Sequence, residues 1–175
     1  MKIVYLDIDG VLNCESSPIY IYEVYVGIDE DKLQQLKRII DATGAEIILT
    51  STWKTRWFKN PEDKDFQDAF GDEIDKRFSA IGLSILNRTW ENDLYYRGHG
   101  IKSSVQKYNP EAWVVLDDEY FPDFAECGID EHLIKTDWYG LGLTAEKADL
   151  AIRVLNENIK IGGFDYVKMG SHIGK

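Results

Sequence analysis

MKIVYLDIDGVLN, residues 1–13, sets a run of apolar and aromatic side chains from Ile3 to Leu6 directly before two aspartates, Asp7 and Asp9, and a glycine, Gly10. A short apolar run that ends in polar residues is the pattern of a strand buried on both faces of a parallel sheet. Burying two like charges side by side is costly unless a cation sits between them. The pair therefore belongs either on a wet loop or in a site.

Two further stretches repeat the pattern: residues 45–49 (AEIIL), which lead into Thr50 and Ser51, and residues 113–116 (WVVL), which lead into Asp117 and Asp118. Between the first two runs, Asp29 is placed to cap a helix carrying Leu33, Leu36 and Ile40, and Gly44 to stop it. A second amphipathic helix is expected from about Gly100 to Tyr108. A third is expected from Thr144, with Ala148, Ala151, Ile152, Leu155 and Ile159 on one face. Alternating strands and helices predict an α/β class with a mostly parallel sheet and flanking helices. One domain over residues 1–161 is expected, with a small flap hairpin at about 14–28 and a minimal cap insert at about 54–96. In that insert Phe66, Phe70, Ile74, Phe78 and Ile81 are spaced for one or two helices, and the Gly-rich residues 162–175 read as a tail.

In a parallel sheet the strands point one way and ligands bind beyond their carboxyl ends. Three strands here would deliver Asp7 and Asp9, Thr50 and Ser51, and Asp117 and Asp118 to one crevice. Four carboxylates together imply a divalent cation, and hard oxygen donors without His or Cys select Mg²⁺ over zinc. An EF-hand calcium loop counted from Asp7 fails, because Val11 and Pro18 occupy its fifth and twelfth places. With a cation present, Asp7 is suited to attack phosphorus, and Asp9 to protonate a leaving oxygen and later activate water. Thr50 and Ser51 offer hydroxyls to a phosphoryl group, and Arg97 or Lys102 a positive charge.

Composition narrows the partners. Against 20 basic residues stand 31 acidic ones, a net charge of −11 that opposes non-specific binding to a polyanion. No apolar run approaches the roughly 18 residues of a membrane span, and no leader pattern precedes the first strand, so a cytoplasmic protein with no membrane partner is expected. Cys14 and Cys127 match neither a disulfide framework nor a zinc spacing and read as ordinary thiols.

The ordered set DIDGVL (7–12), IILTS (47–51), RGHGIK (97–102) and VVLDD (114–118) resembles the four motifs of the haloacid dehalogenase superfamily. The resemblance implies a Rossmann-like sheet, Mg²⁺ and an aspartyl-phosphate intermediate. It matches Asp7 to the nucleophile, Asp9 to the acid/base, Ser51 or Thr50 to the phosphate-binding hydroxyl, and Asp117 with Asp118 to the metal-binding acids. Arg97 is favoured over Lys102 as the cation of the third motif. An acid at Asp9, which the dehalogenases proper lack, argues for phosphoryl chemistry. Ser51 with Trp53, Arg97 with Gly98, LDD, and a late KTD (135–137) and GLT (142–144) resemble, more finely, the small domains of this superfamily associated with RNA repair.

The expectation is therefore a Mg²⁺-dependent phosphatase acting on a phosphomonoester, its metal held by Asp7, Asp9, Asp117 and Asp118. The partner is a phosphorylated small molecule or a nucleic-acid end; a polynucleotide 3′-phosphatase and a non-catalytic binding module are the alternatives. Trp53, Trp57 and Phe58 read mainly as core, and His99 as a surface or capping histidine. Asp123 is either a further metal ligand or an exposed loop carboxylate.

Overall fold

A computed structural model describes residues 1–90 and 96–161. The expected tail and part of the expected insert lie outside the described residues. In chain order the strands are β1 (Lys2–Leu6), β2 (Tyr20–Ile21), β3 (Tyr25–Val26), β4 (Glu46–Leu49), β5 (Ile85–Arg88), β6 (Ala112–Asp117) and β7 (Leu133–Lys135). The α-helices are α1 (Glu30–Thr43), α2 (Ala69–Ala80), α3 (Arg97–Tyr108), α4 (Phe124–Cys127) and α5 (Ala145–Glu157). Five strands form a parallel sheet in the order β5-β4-β1-β6-β7, with β1 at its centre, and β2 pairs antiparallel with β3 in a separate hairpin. This is a Rossmann-like α/β fold of the expected class.

Strand order explains where the acids go. The chain runs outward from β1 through β4 to β5, then returns to the other side of β1 for β6 and β7. Connections diverge at the β1–β6 boundary and leave a crevice between them. Leu6 lies beside Leu116 and Leu49 in the sheet register, so the next residues along each strand, Asp7, Asp117 and Thr50, emerge side by side.

Alternation along the strands sorts the core into two layers. Val4 and Leu6 face the side covered by Leu33 and Leu36 of α1, Ile74 and Phe78 of α2, and Ala151 and Leu155 of α5. Ile3 and Tyr5 face Ile101 of α3 and Phe124 of α4. Asp29 caps α1 by accepting from the Asp31 N–H, and Gly44 closes it in the left-handed conformation at φ 65°. Thr144 caps α5 as expected, but Asn158 ends that helix with φ 49°, so Ile159 falls beyond its apolar face.

The insert contains one of the helices its apolar spacing predicts. After a 3-10 turn at Pro61–Phe66, α2 buries Phe70, Ile74 and Phe78 against the main core, and the chain then adds β5 to the sheet edge. The flap hairpin is present and tight. Its tip holds Tyr22 and Glu23 at φ 54° and 62°, a left-handed conformation that non-glycine residues adopt only at a cost.

Beside β7, His132 stacks on Trp113 with ring centroids 3.6 Å apart. Burial lowers its pKa, with the Lys160 charge adding to the effect and the Trp113 carbonyl opposing it. Below about pH 6.5 the unfolded chain therefore binds a proton that the folded chain resists, so stability falls as pH drops. His132→Gln is expected to flatten this part of the stability–pH curve in urea unfolding between pH 8 and 5. An unchanged slope would remove His132 as its source.

Candidate active site

Asp7, Asp117 and Asp118 each offer a carboxylate oxygen, and these oxygens lie within 4.8 Å of one another at the ends of β1 and β6. Asp7 and Asp117 are buried, and one guanidinium answers both: Arg97 Nη1 lies 2.7 Å from Asp7 Oδ2 and also pairs with Asp117 Oδ2. Arg97 reaches them from the first turn of α3 and stacks over the Phe121 ring at 4.4 Å. Burial works against its charge, but Asp7 and Asp117 outweigh burial and raise the guanidinium above its ordinary value.

The acids remain under-compensated. Burial pushes Asp117 well above the usual carboxylate range, with the charge of Asp7 adding to it and Arg97 opposing. Asp118 is pushed up to about 6 by burial, Asp7 and Glu119, against the pull of Lys135. Such a cluster of hard oxygen donors, with one cation among three acids, fits a Mg²⁺ ion.

Asp9 stands apart from this cluster. Its Oδ1 accepts from Asn13 Nδ2 at 3.0 Å and its Oδ2 from Trp53 Nε1 at 2.9 Å, so both carboxylate oxygens are held at the crevice wall. The carboxylates that converge are those of Asp7, Asp117 and Asp118, and Asp9, expected among the metal ligands, is not in that group. Burial raises the Asp9 pKa, with Asp7 adding to it and Asn13, Trp53 and Arg97 opposing. A carboxyl moved that way holds a proton closer to neutral pH.

The turn between the aspartates and the helix is fixed by two residues. Gly10 has φ 67°, and a Cβ there would fall 2.2 Å from the Asp118 carboxyl carbon, so only glycine lets the β1 loop approach β6. Asn13 is fully buried: its Oδ1 accepts from Gly10 N–H at 3.0 Å, and its Nδ2 donates to Asp9 and to the Val26 carbonyl. It ties the aspartate loop to the flap. An Asn in a loop carries no spacing signal, which is why sequence reasoning passed it over.

The crevice beyond the acids has a volume of about 590 Å³ and an aromatic wall made by Tyr25 of the flap, Trp53, Phe70 of α2, Trp138 and Tyr139. Trp53 is both core and wall: it is 4% exposed, packs edge-on against Phe70, and donates to Asp9. Trp138 and Tyr139 are presented by the segment that Gly142 seats under the aspartate loop, where Leu143 N–H bonds the Val11 carbonyl at 2.9 Å.

This arrangement can hold a cation, offer a carboxylate to an electrophile and exchange a proton beside it. The family described as the HAD domain in Swiss Army Knife RNA repair proteins matches residues 3–148, a span that contains the whole cluster. The chain belongs to that family. No individual curated protein matches it.

In this HAD domain the other expected residues fall as follows. Thr50 is buried beside Asp7 and its hydroxyl has no hydrogen-bond partner among the described residues, while Ser51 accepts from Trp53 N–H at 3.3 Å and caps the 3-10 turn Thr52–Thr55. Lys102 is exposed on α3 and does not line the crevice, whereas Arg97 does. Asp123 is not the exposed loop carboxylate of one reading: it is buried, lies outside the Asp7–Asp117–Asp118 group, and accepts from the His99 backbone N–H at 2.9 Å. Among the described residues no helix is long and apolar enough to cross a membrane.

Proposed function

We propose that the chain is a Mg²⁺-dependent phosphatase that removes a phosphomonoester from a nucleic-acid end through an aspartyl-phosphate on Asp7. The observation that carries this reading is the Asp7–Asp117–Asp118 cluster with Arg97 at the foot of an aromatic-walled crevice. Membership in an RNA-repair family supports the choice of substrate.

Asp7, Asp117 and Asp118 would hold Mg²⁺, whose charge supports the phosphoryl oxygens and lowers repulsion between them and the acids. Arg97 orients the Asp7 carboxylate through their 2.7 Å ion pair. Asp7 attacks phosphorus as the bond to the leaving oxygen breaks, and Asp9 gives that oxygen its proton. Asp9 then takes a proton from the water that cleaves the aspartyl-phosphate, releasing inorganic phosphate and restoring both carboxyls. The Thr50 and Ser51 hydroxyls supply hydrogen bonds to phosphoryl oxygens, and Tyr25, Trp53, Phe70 and Tyr139 offer surfaces on which a terminal nucleoside stacks.

The net charge of −11 restricts contact to the end of the polymer rather than a long backbone tract, and it also favours a second reading, a small phosphorylated metabolite. Release of phosphate from 3′- and 5′-phosphorylated oligonucleotides, beside a panel of phosphorylated metabolites, with and without Mg²⁺, separates them. Faster turnover of an oligonucleotide end is expected. Hydrolysis of metabolites alone would move the substrate to the second reading, and none by well-folded protein would leave a non-catalytic binding module.

Asp9→Asn is expected to slow formation of the phosphoenzyme on an alkyl phosphate by about 10²–10⁴-fold in single-turnover measurements. On p-nitrophenyl phosphate, whose leaving group needs little protonation, the loss should be smaller. Equal losses on both substrates would make Asp9 a structural residue.

A further inference from the structure

A second cluster of ligating side chains lies apart from the crevice acids. A ring nitrogen of His99, a carboxylate oxygen of Asp123 and the Cys127 thiol all lie within 4.8 Å of one another. Asp123 precedes the single turn of α4 and Cys127 ends it, with Cys127 N–H bonded to the Asp123 carbonyl at 3.0 Å. That i, i+4 spacing puts carboxylate and thiol on one side of the turn. His99 comes to meet them from the first turn of α3.

Three observations distinguish this group from a chance meeting. Asp123 is 1% exposed, yet among the described residues its Oδ1 has no hydrogen-bond partner, an arrangement that is costly for a carboxylate unless a positive charge answers it. Gly98 makes the approach feasible, because a Cβ there would stand 2.9 Å from the Asp123 carboxyl carbon. The His99 ring is half exposed, with Nδ1 2.9 Å from Asp123 and Nε2 3.3 Å from Glu126 at the rim, so an ion has a way in. Both ring nitrogens face carboxylates, which suits a ligand cluster better than a thiol–imidazole catalytic pair.

We propose that His99, Asp123 and Cys127 form a site for a borderline-soft divalent cation such as Zn²⁺, separate from the Mg²⁺ cluster. Imidazole, thiolate and carboxylate together are the donor set such ions prefer and Mg²⁺ does not. Bond lengths of about 2.0 Å to nitrogen and 2.3 Å to sulfur place tetrahedral ligands about 3.5 Å apart, inside the 4.8 Å that bounds this group, with the His99–Asp123 pair opening from 2.9 Å. Among the described residues three protein ligands converge, which leaves the fourth position to water or to Glu126. Because Gly98 alone separates His99 from Arg97, an ion here anchors the turn that delivers Arg97 to Asp7 and Asp117.

Co²⁺ titration of the full chain, with reduced thiols and excess Mg²⁺, tests the site. One equivalent should produce a near-ultraviolet thiolate-to-cobalt band that Zn²⁺ abolishes by displacement. Cys127→Ser should lose the band and His99→Gln should weaken binding at least about tenfold, whereas Cys14→Ser and Asp118→Asn should retain it. As a measurement on the unsubstituted chain, Zn²⁺ should slow alkylation of Cys127. Absence of the band, its survival in Cys127→Ser, or alkylation indifferent to Zn²⁺ would overturn the proposal.

Discussion

Replacing Asp7 with asparagine is expected to reduce turnover by on the order of 10⁴-fold or more, the scale seen when a covalent nucleophile is removed. The amide keeps the volume of the carboxylate but cannot attack phosphorus, and it no longer offers Arg97 a full charge. The fold should survive, because the flanking residues Leu6 and Ile8 stay buried and Asp117 still pairs with Arg97. Steady-state phosphate release, with circular dichroism as the check on folding, measures the effect. Activity within tenfold of the unsubstituted chain would exclude Asp7 as nucleophile.

Arg97→Met should produce the largest loss of stability of any single change in the crevice. Methionine fills much of the arginine's volume against Phe121 but leaves Asp7 and Asp117 buried with no guanidinium. Removing one partner of a buried ion pair typically costs 3–5 kcal/mol, and that range is expected in urea unfolding at pH 8 without Mg²⁺. Excess Mg²⁺ should recover part of the loss through binding to the folded state alone, since it would supply charge to the same carboxylates. Arg97→Lys should fall between the two, because a single ammonium cannot serve both acids as a planar fork does. A loss below about 1 kcal/mol would mean that the acids are relieved by other means.

How much of this could be read from the sequence depended on burial. β1, β4 and β6 are central strands with continuous apolar runs, and the sequence pattern located them to within a residue or so. β5 and β7 escaped because they are edge strands of four and three residues, and β5 (ILNR) is only half-buried along its length. The acids at the strand ends were legible because parallel topology sends all strand ends to one rim. Their division into a cluster of three and a separately held Asp9 was not, since it depends on Asn13 and Trp53 contacting Asp9 from loops. Asp123 was the hardest case: nothing in YFPD tells a solvated loop acid from one buried beneath α3.

The left-handed tip of the flap has a consequence for redesign. Tyr22 and Glu23 each hold a backbone conformation that disfavours an L side chain by roughly 1–2 kcal/mol, in a hairpin whose strands have only two residues apiece. This wall has stability in reserve. An Asn-Gly pair at the tip, the dipeptide such geometry favours, would firm the hairpin while leaving Tyr25 and the Asn13–Val26 tie in place. Substrate range could then be tuned through the stiffness of one loop, with the reacting groups left untouched.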